Sequence, residues 1–267
     1  MKISRRDFLK IGAKGLAGGL VIYTMPYLLR NLGVPGKEAR AAFPVYLGEY
    51  EWQKHYWGFV CDSEKCIGCG RCVVACKLEN KVPWEDEFNR TWVERYIVTD
   101  DNEVFVDSPH GGRDGFVNEP QNSHYNNLQV RKSFFVPKLC NQCENPPCVT
   151  VCPVGATYTT DDGVILIDRE HCIGCRYCIQ ACPYGARFFL PEEGVVDKCT
   201  WCSHRISRGL VPACVEVCPV GARQFGDLRD PTSPVSRTLN ERRVYTLKPE
   251  LGTKPKVFYI GFEVGVF

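Results

Sequence analysis

The chain has 267 residues, 44% hydrophobic and 12% aromatic, ordinary values for a folded globular protein and too apolar for an extended disordered one. Its formal charge of +2 is unevenly spread: eight of the 33 Lys and Arg but only two of the 31 acids fall in the first 41 residues, leaving 25 bases against 29 acids, net −4, in the rest. A folded part that is net acidic lacks the basic stripe a nucleic acid would require, which excludes nucleic acid as a partner.

At the N-terminus, Ser4-Arg5-Arg6-Asp7-Phe8-Leu9-Lys10 is followed by an apolar stretch from Ile11 to Leu29 and by small residues at Ala39-Arg40-Ala41. A basic head, an apolar middle and a small-residue cleavage site make the layout of an export signal. The head resembles the twin-arginine signal, a receptor-read address that moves proteins already folded. The longest uncharged span, Gly15 to Leu29, has 15 residues and contains Pro26, short of the roughly 20 apolar residues a bilayer-spanning helix needs. Residues 1–41 are therefore expected to be a cleaved signal peptide rather than a retained anchor, leaving 42–267 as the mature domain.

Trp57-Gly-Phe-Val-Cys61-Asp reads as a strand, with Cys61 as a small buried hydrophobe. The other 16 of the 17 cysteines fall into four groups. Group one is Cys66, Cys69, Cys72 and Cys76, spaced C-x2-C-x2-C-x3-C and followed by Lys77. Beyond it, Arg90 to Thr99, Asn102 to Asp107 and Val130 to Val136 alternate aromatic or β-branched residues with polar ones and predict strands. Ser108 to Asn127 is rich in Gly, Asn, Pro and His and predicts a long loop, which at that length is expected to touch a partner subunit.

Group two is Cys140, Cys143, Cys148 and Cys152, in which two prolines widen the middle gap to C-x2-C-x4-C-x3-C-P. Two β-prone runs around Asp161-Asp162-Gly163 then predict a hairpin. Group three, Cys172, Cys175, Cys178 and Cys182, is the compact C-x2-C-x2-C-x3-C-P run, and group four is Cys199, Cys202, Cys214 and Cys218, spaced C-x2-C-x11-C-x3-C-P. Groups two, three and four each continue as Pro-x-Gly-Ala, so the repeat extends past the cysteines and predicts a turn that passes close to a cofactor or needs positive φ. Arg176, Arg187, Lys198, Arg205 and Arg208 cluster around groups three and four, either as cations that raise reduction potentials or as solvated surface. After Gly226, Asp-Leu-Arg-Asp-Pro-Thr-Ser-Pro predicts a turn and the start of a short helix.

Three other chemistries explain this pattern less well. Seventeen is an odd number, and cysteines two residues apart are poor disulfide partners. A zinc ribbon pairs two C-x2-C knuckles, whereas groups one and three bring a third cysteine after only two residues. Haem attachment needs a histidine directly after C-x2-C, and His204 misses by one position. Iron–sulfur clusters remain. The five histidines offer no nucleophile–base or paired-acid arrangement, so the chain is expected to be a non-catalytic subunit.

The segment from Lys138 to Leu190 is similar to a bacterial two-cluster ferredoxin, in which each 4Fe-4S cluster takes three cysteines from one motif and its last from the other. From Tyr56 to Ile260, including the tail Leu247 to Tyr259, the chain resembles the four-cluster electron-transfer subunits of molybdopterin oxidoreductases such as tetrathionate, polysulfide, thiosulfate and dimethyl sulfoxide reductases. That resemblance implies an α+β fold of two nested bacterial-ferredoxin-like modules: an inner one over 138–190, an outer one over 56–80 plus 191–226, a β-rich insertion over 81–137 and a C-terminal strap over 227–267. It implies four 4Fe-4S clusters, held by Cys66, Cys69, Cys72 and Cys218; by Cys140, Cys143, Cys148 and Cys182; by Cys172, Cys175, Cys178 and Cys152; and by Cys199, Cys202, Cys214 and Cys76. It further implies two partners on the periplasmic face of the cytoplasmic membrane: a polytopic quinone-reactive membrane subunit, and either a molybdopterin catalytic subunit or, in the alternative of a cytochrome- or sulfite-reduction-linked membrane complex that lacks one, a multihaem cytochrome.

Overall fold

A computed structural model describes residues 50–116 and 129–261. The leader expected at 1–41, residues 117–127 of the long loop and the last six residues of the strap lie outside the described residues.

Helices and strands are mixed and short. Strand β1 (Trp57–Asp62) is buried on both faces, which suits its run of Phe, Val and Cys. Phe59 and Cys61 point into the main core with Trp201, Phe225 and Tyr259, while Val60 packs against Val235 and Ile260 on the other side. The largest fully buried side chain is Trp201, 5.5 Å from the Phe225 ring and 6.3 Å from the Phe59 ring.

Helix α1 (Arg71–Asn80) carries Cys72 and Cys76. Its length explains why group one departs from the repeat. The other groups follow their last cysteine with proline, and their helical segments stop after one turn; Lys77 lets the helix run on to Asn80. The buried Lys77 ammonium is satisfied by the carbonyls of Pro83 (2.6 Å), Glu85 (3.2 Å) and Phe88 (2.7 Å).

The predicted insertion strands form one antiparallel sheet: β2 (Thr91–Thr99) between β3 (Val104–Asp107) and β4 (Val130–Leu139). Tyr96 opposes Phe134 in the register, and their rings stack at 5.3 Å. The beginning of the long loop folds back on the chain instead of standing in solvent. Gly111 and Gly112 are buried, and the Gly112 and Arg113 carbonyls lie so close to Gly70, at φ +72°, that no Cβ fits there. The insertion thus covers the group-one loop.

Groups two to four use single-turn helices: α2 (Pro147–Thr150), α3 (Tyr177–Gln180), α4 (Ser203–Ile206) and α5 (Ala213–Glu216). Between them lie two hairpins. The predicted one around Asp162-Gly163 pairs β5 (Thr157–Thr159) with β6 (Ile165–Ile167), and a second pairs β7 (Arg187–Leu190) with β8 (Val195–Lys198). The Pro-x-Gly-Ala repeat is one turn built three times: Gly155, Gly185 and Gly221 sit at φ +68°, +62° and +62°, and each donates its N–H to the carbonyl of the preceding cysteine. A Cβ at any of them would meet no protein atom within 4 Å, so backbone handedness, not crowding by the chain, selects glycine.

Strand β9 (Arg223–Asp227) pairs antiparallel with β1. The predicted helix start is α6 (Pro234–Glu241), capped by Ser233, whose Oγ accepts from the Ser236 N–H at 3.2 Å. The described part of the tail ends in β10 (Val257–Ile260), parallel to β1. On the way it crosses group two, where the carbonyls of Thr253 and Lys254 accept from Asn145 and Glu144, and Lys256 donates its N–H to the Asn141 carbonyl. Among the described residues no helix is long and apolar enough to cross a membrane.

Candidate metal centres

The cysteines are brought together in four sets, each of three from one group and one from another. Cys66, Cys69, Cys72 and Cys218 line one pocket, site one, which Val93 and Pro137 of the insertion sheet help to close. Cys152, Cys172, Cys175 and Cys178 line a second, site three. At site two Cys143 faces Cys140, Cys148 and Cys182, and at site four Cys76 faces Cys199, Cys214 and Cys202. Cys61 is fully buried on β1 beside Cys66 and Cys72.

Among the described residues no three Cys, His, Asp or Glu side chains converge on a point, as a single metal ion would require. At sites one and three the four sulfurs line a pocket, an arrangement that fits a cluster held by four thiolates. Burial, reinforced by neighbouring thiols, pushes Cys143 up to about 12, and burial pushes Cys214 up to about 12 and Cys66 up to about 11. Thiols of this kind become ligands only when a cationic centre displaces their protons. Cys152 moves the other way: burial would raise it, but the backbone N–H groups of Thr157, Val154 and Ala156 outweigh burial and lower it.

Donors aimed at sulfur complete the fit. The Thr157 N–H reaches Cys152 Sγ at 3.5 Å and the Trp201 N–H reaches Cys199 Sγ at 3.4 Å. At site four the Asn80 amide lies 3.6 Å from both Cys76 Sγ and Cys202 Sγ. Arg90 orients it by donating Nη1 to Asn80 Oδ1 at 2.9 Å, and Arg90 is itself held by Asp197 through two bonds of 2.8 Å. The continuation of α1 past Cys76 is what delivers this amide.

The five cations noted in the sequence separate into two kinds. Arg187 and Lys198 are buried against cysteines: Arg187 beside Cys148, Cys140 and Cys178, and Lys198 beside Cys140 and Cys199. The exposed Arg176 lies over the Phe189 ring at 3.7 Å, Arg205 pairs with Glu79 and Glu216, and Arg208 is at the surface. Sequence reasoning missed Arg223, buried beside Cys72, Cys214, Cys61 and Cys66. A signal was available, because Arg187 and Arg223 both directly follow Pro-x-Gly-Ala.

Thiolate sets of this kind on short ferredoxin-like turns define a cluster-carrying electron-transfer protein. The chain matches the family description "4Fe-4S dicluster domain" twice, over residues 65–156 and 131–228. It is 42% identical to a tetrathionate reductase subunit of Salmonella typhimurium, over 84% of this chain and 80% of that one. It is 40% identical to a polysulfide reductase chain of Wolinella succinogenes (76% and 93% covered), and 34% identical to the Hdr-like menaquinol oxidoreductase iron-sulfur subunit 1 of Archaeoglobus fulgidus (96% and 97%). The chain belongs to this family of 4Fe-4S dicluster iron–sulfur subunits of oxidoreductase complexes. Its cofactors are four 4Fe-4S clusters, and its part in the complex is electron transfer rather than substrate conversion.

Proposed function

We propose that the chain relays electrons one at a time between a quinone-reactive membrane subunit and a molybdopterin catalytic subunit, on the periplasmic face after twin-arginine export. The single observation that carries the reading is the exchange of fourth cysteines. Cys218 stands with group one and Cys76 with group four; Cys182 stands with group two and Cys152 with group three. This supports the ligand sets implied by the ferredoxin resemblance, and it supports two nested modules, the outer holding sites one and four and the inner sites two and three. The β1–β9 pairing, which joins the strand before group one to the strand after group four, supports the same nesting.

The clusters supply the one-electron chemistry. The chain's residues hold them as thiolates, direct N–H groups at their sulfurs and exclude water from the interior sites. Cys199 of site four lies beside Cys140 of site two, which supports the order one, four, two, three along the relay. The names of relatives that act on tetrathionate, polysulfide and menaquinol support a catalytic partner at one end and a quinone-reactive one at the other. In the intact complex a quinol should reduce the clusters within one turnover, and the chain should carry about sixteen irons, four for each of four clusters. Clusters that stay oxidised while the complex turns over would end the relay reading.

A further inference from the structure

Arg187 and Arg223 hold the same place in the repeat, at the first residue of β7 and β9, directly after Pro-x-Gly-Ala; the counterpart in group two is Thr157. Both are almost wholly buried, at 4% and 2% exposure. Each makes one hydrogen bond to a threonine: Arg187 Nη1 donates to Thr157 Oγ1 at 3.3 Å and Arg223 Nη2 to Thr91 Oγ1 at 2.8 Å. The other guanidinium donors, Nε and Nη2 of Arg187 and Nε and Nη1 of Arg223, are buried and reach no oxygen or nitrogen acceptor; they face cysteine sulfurs, those of Cys148 and Cys178 for Arg187 and of Cys72 for Arg223. Arg90 shows the contrast, since it is equally enclosed but neutralised by Asp197. A guanidinium cannot shed its charge by losing a proton, and leaving it dry and unpaired is costly, so an anion belongs beside these two side chains.

The neighbours identify that anion. Arg223 faces Cys72 and Cys66 of site one and Cys214 of site four, while Arg187 faces Cys148 and Cys140 of site two and Cys178 of site three. Each arginine therefore stands between the two sites of one module. We propose that Arg223 and Arg187 are positioning residues that keep a fixed positive charge between paired clusters, raising the reduction potential of both members and screening one from the charge of the other. The inference rests on the four-cluster reading and on the ligand sets above. Adding one electron makes an anionic cluster more anionic, and a cation held against two clusters favours that reduced form in each.

The test is a potentiometric titration of the intact complex, followed by electron paramagnetic resonance and paired with iron analysis. Arg223→Gln should shift two of the four clusters by at least tenfold in their oxidised-to-reduced ratio at a fixed potential, about 59 mV for a one-electron couple. Arg187→Gln should shift the other two, and the double variant all four. Arg223→Lys and Arg187→Lys, which keep the charge, should stay within about twofold, and the shifts should be the same from about pH 6 to 9 because arginine does not titrate there. Full iron with one cluster shifted, all four shifted alike or none shifted would overturn the proposal. Loss of iron from both glutamine variants with full iron in both lysine variants would also overturn it, making the arginines assembly groups. Failure of the relay reading itself would show in the unaltered complex, as fewer than four titrating clusters.

Discussion

Sites two and four lie inside the molecule and sites one and three at its surface, and the difference is visible in the cysteines themselves. Seven of the eight at sites two and four are buried, Cys182 being the exception, whereas Cys175 of site three is exposed and Cys66, Cys69, Cys218, Cys152 and Cys172 are partly so. Around the surface sites the chain exposes apolar residues: Ile67 and Val220 at site one, Val154, Ile173 and Tyr177 at site three. Around the interior sites it places polar groups that are buried, Arg90 and Lys198, or half-buried, Asn80. A relay needs both kinds, with ends where partners can come close and a middle where water and stray oxidants cannot.

The most damaging way to break that contrast is to remove an interior ligand. Cys76→Ser should lower iron by about four of sixteen per chain and slow electron transfer through the complex by more than about 100-fold, read by iron analysis and by turnover with quinol. Smaller, but still large, is the loss of the buried ion pair that supports Asn80. Arg90→Met leaves Asp197 buried without its bidentate partner, though Arg169 still approaches it at 3.3 Å, and should cost about 3–5 kcal/mol in unfolding of the holoprotein.

The contrast can also be sharpened by pH. Thiols raised above their ordinary value are protonated at neutral pH, and each must release a proton on ligation, so cluster insertion strengthens as pH rises. Cys143 and Cys214, at about 12, put this demand on sites two and four, whereas at site three burial raises Cys178 but Cys152 is lowered. In reconstitution with iron and sulfide, site three should therefore fill at lower pH than sites two and four, and simultaneous filling at every pH would remove the distinction. The smallest effect on the fold belongs to the surface. Ile173→Ser should change stability by no more than about 0.5 kcal/mol, yet weaken binding to the partner that covers site three, measured by co-purification.

Much of this was legible in the sequence. The spacing of Cys172 to Cys182 names a cluster motif without help, the strands of the insertion follow from alternation at Thr91 to Thr99, and the hairpin follows from Asp162-Gly163. The crossed assignment of the fourth cysteines came from resemblance, because local spacing cannot say which distant thiol completes a set. What stayed hidden depends on contacts across many residues. The repeat sets Arg223 apart from Arg208 by its place after Pro-x-Gly-Ala, but does not say that Arg223 enters the core on β9 while Arg208 stays in solvent. Asn80 gains its place from Lys77, whose ammonium finds three carbonyls up to eleven residues away. The parallel pairing of β10 with β1 joins segments about 200 residues apart, a distance over which no pattern of residues fixes a partner.

The crossed ligand sets are the centre of the account, and Cys182 tests them most directly. Cys182→Ser, Cys143→Ser and Cys175→Ser can each be prepared in the intact complex and compared by Mössbauer and electron paramagnetic resonance spectra. The expected result is that Cys182→Ser and Cys143→Ser perturb the same cluster while Cys175→Ser perturbs another. A Cys182→Ser spectrum that matches Cys175→Ser would contradict the exchange, and with it the nested modules built on it.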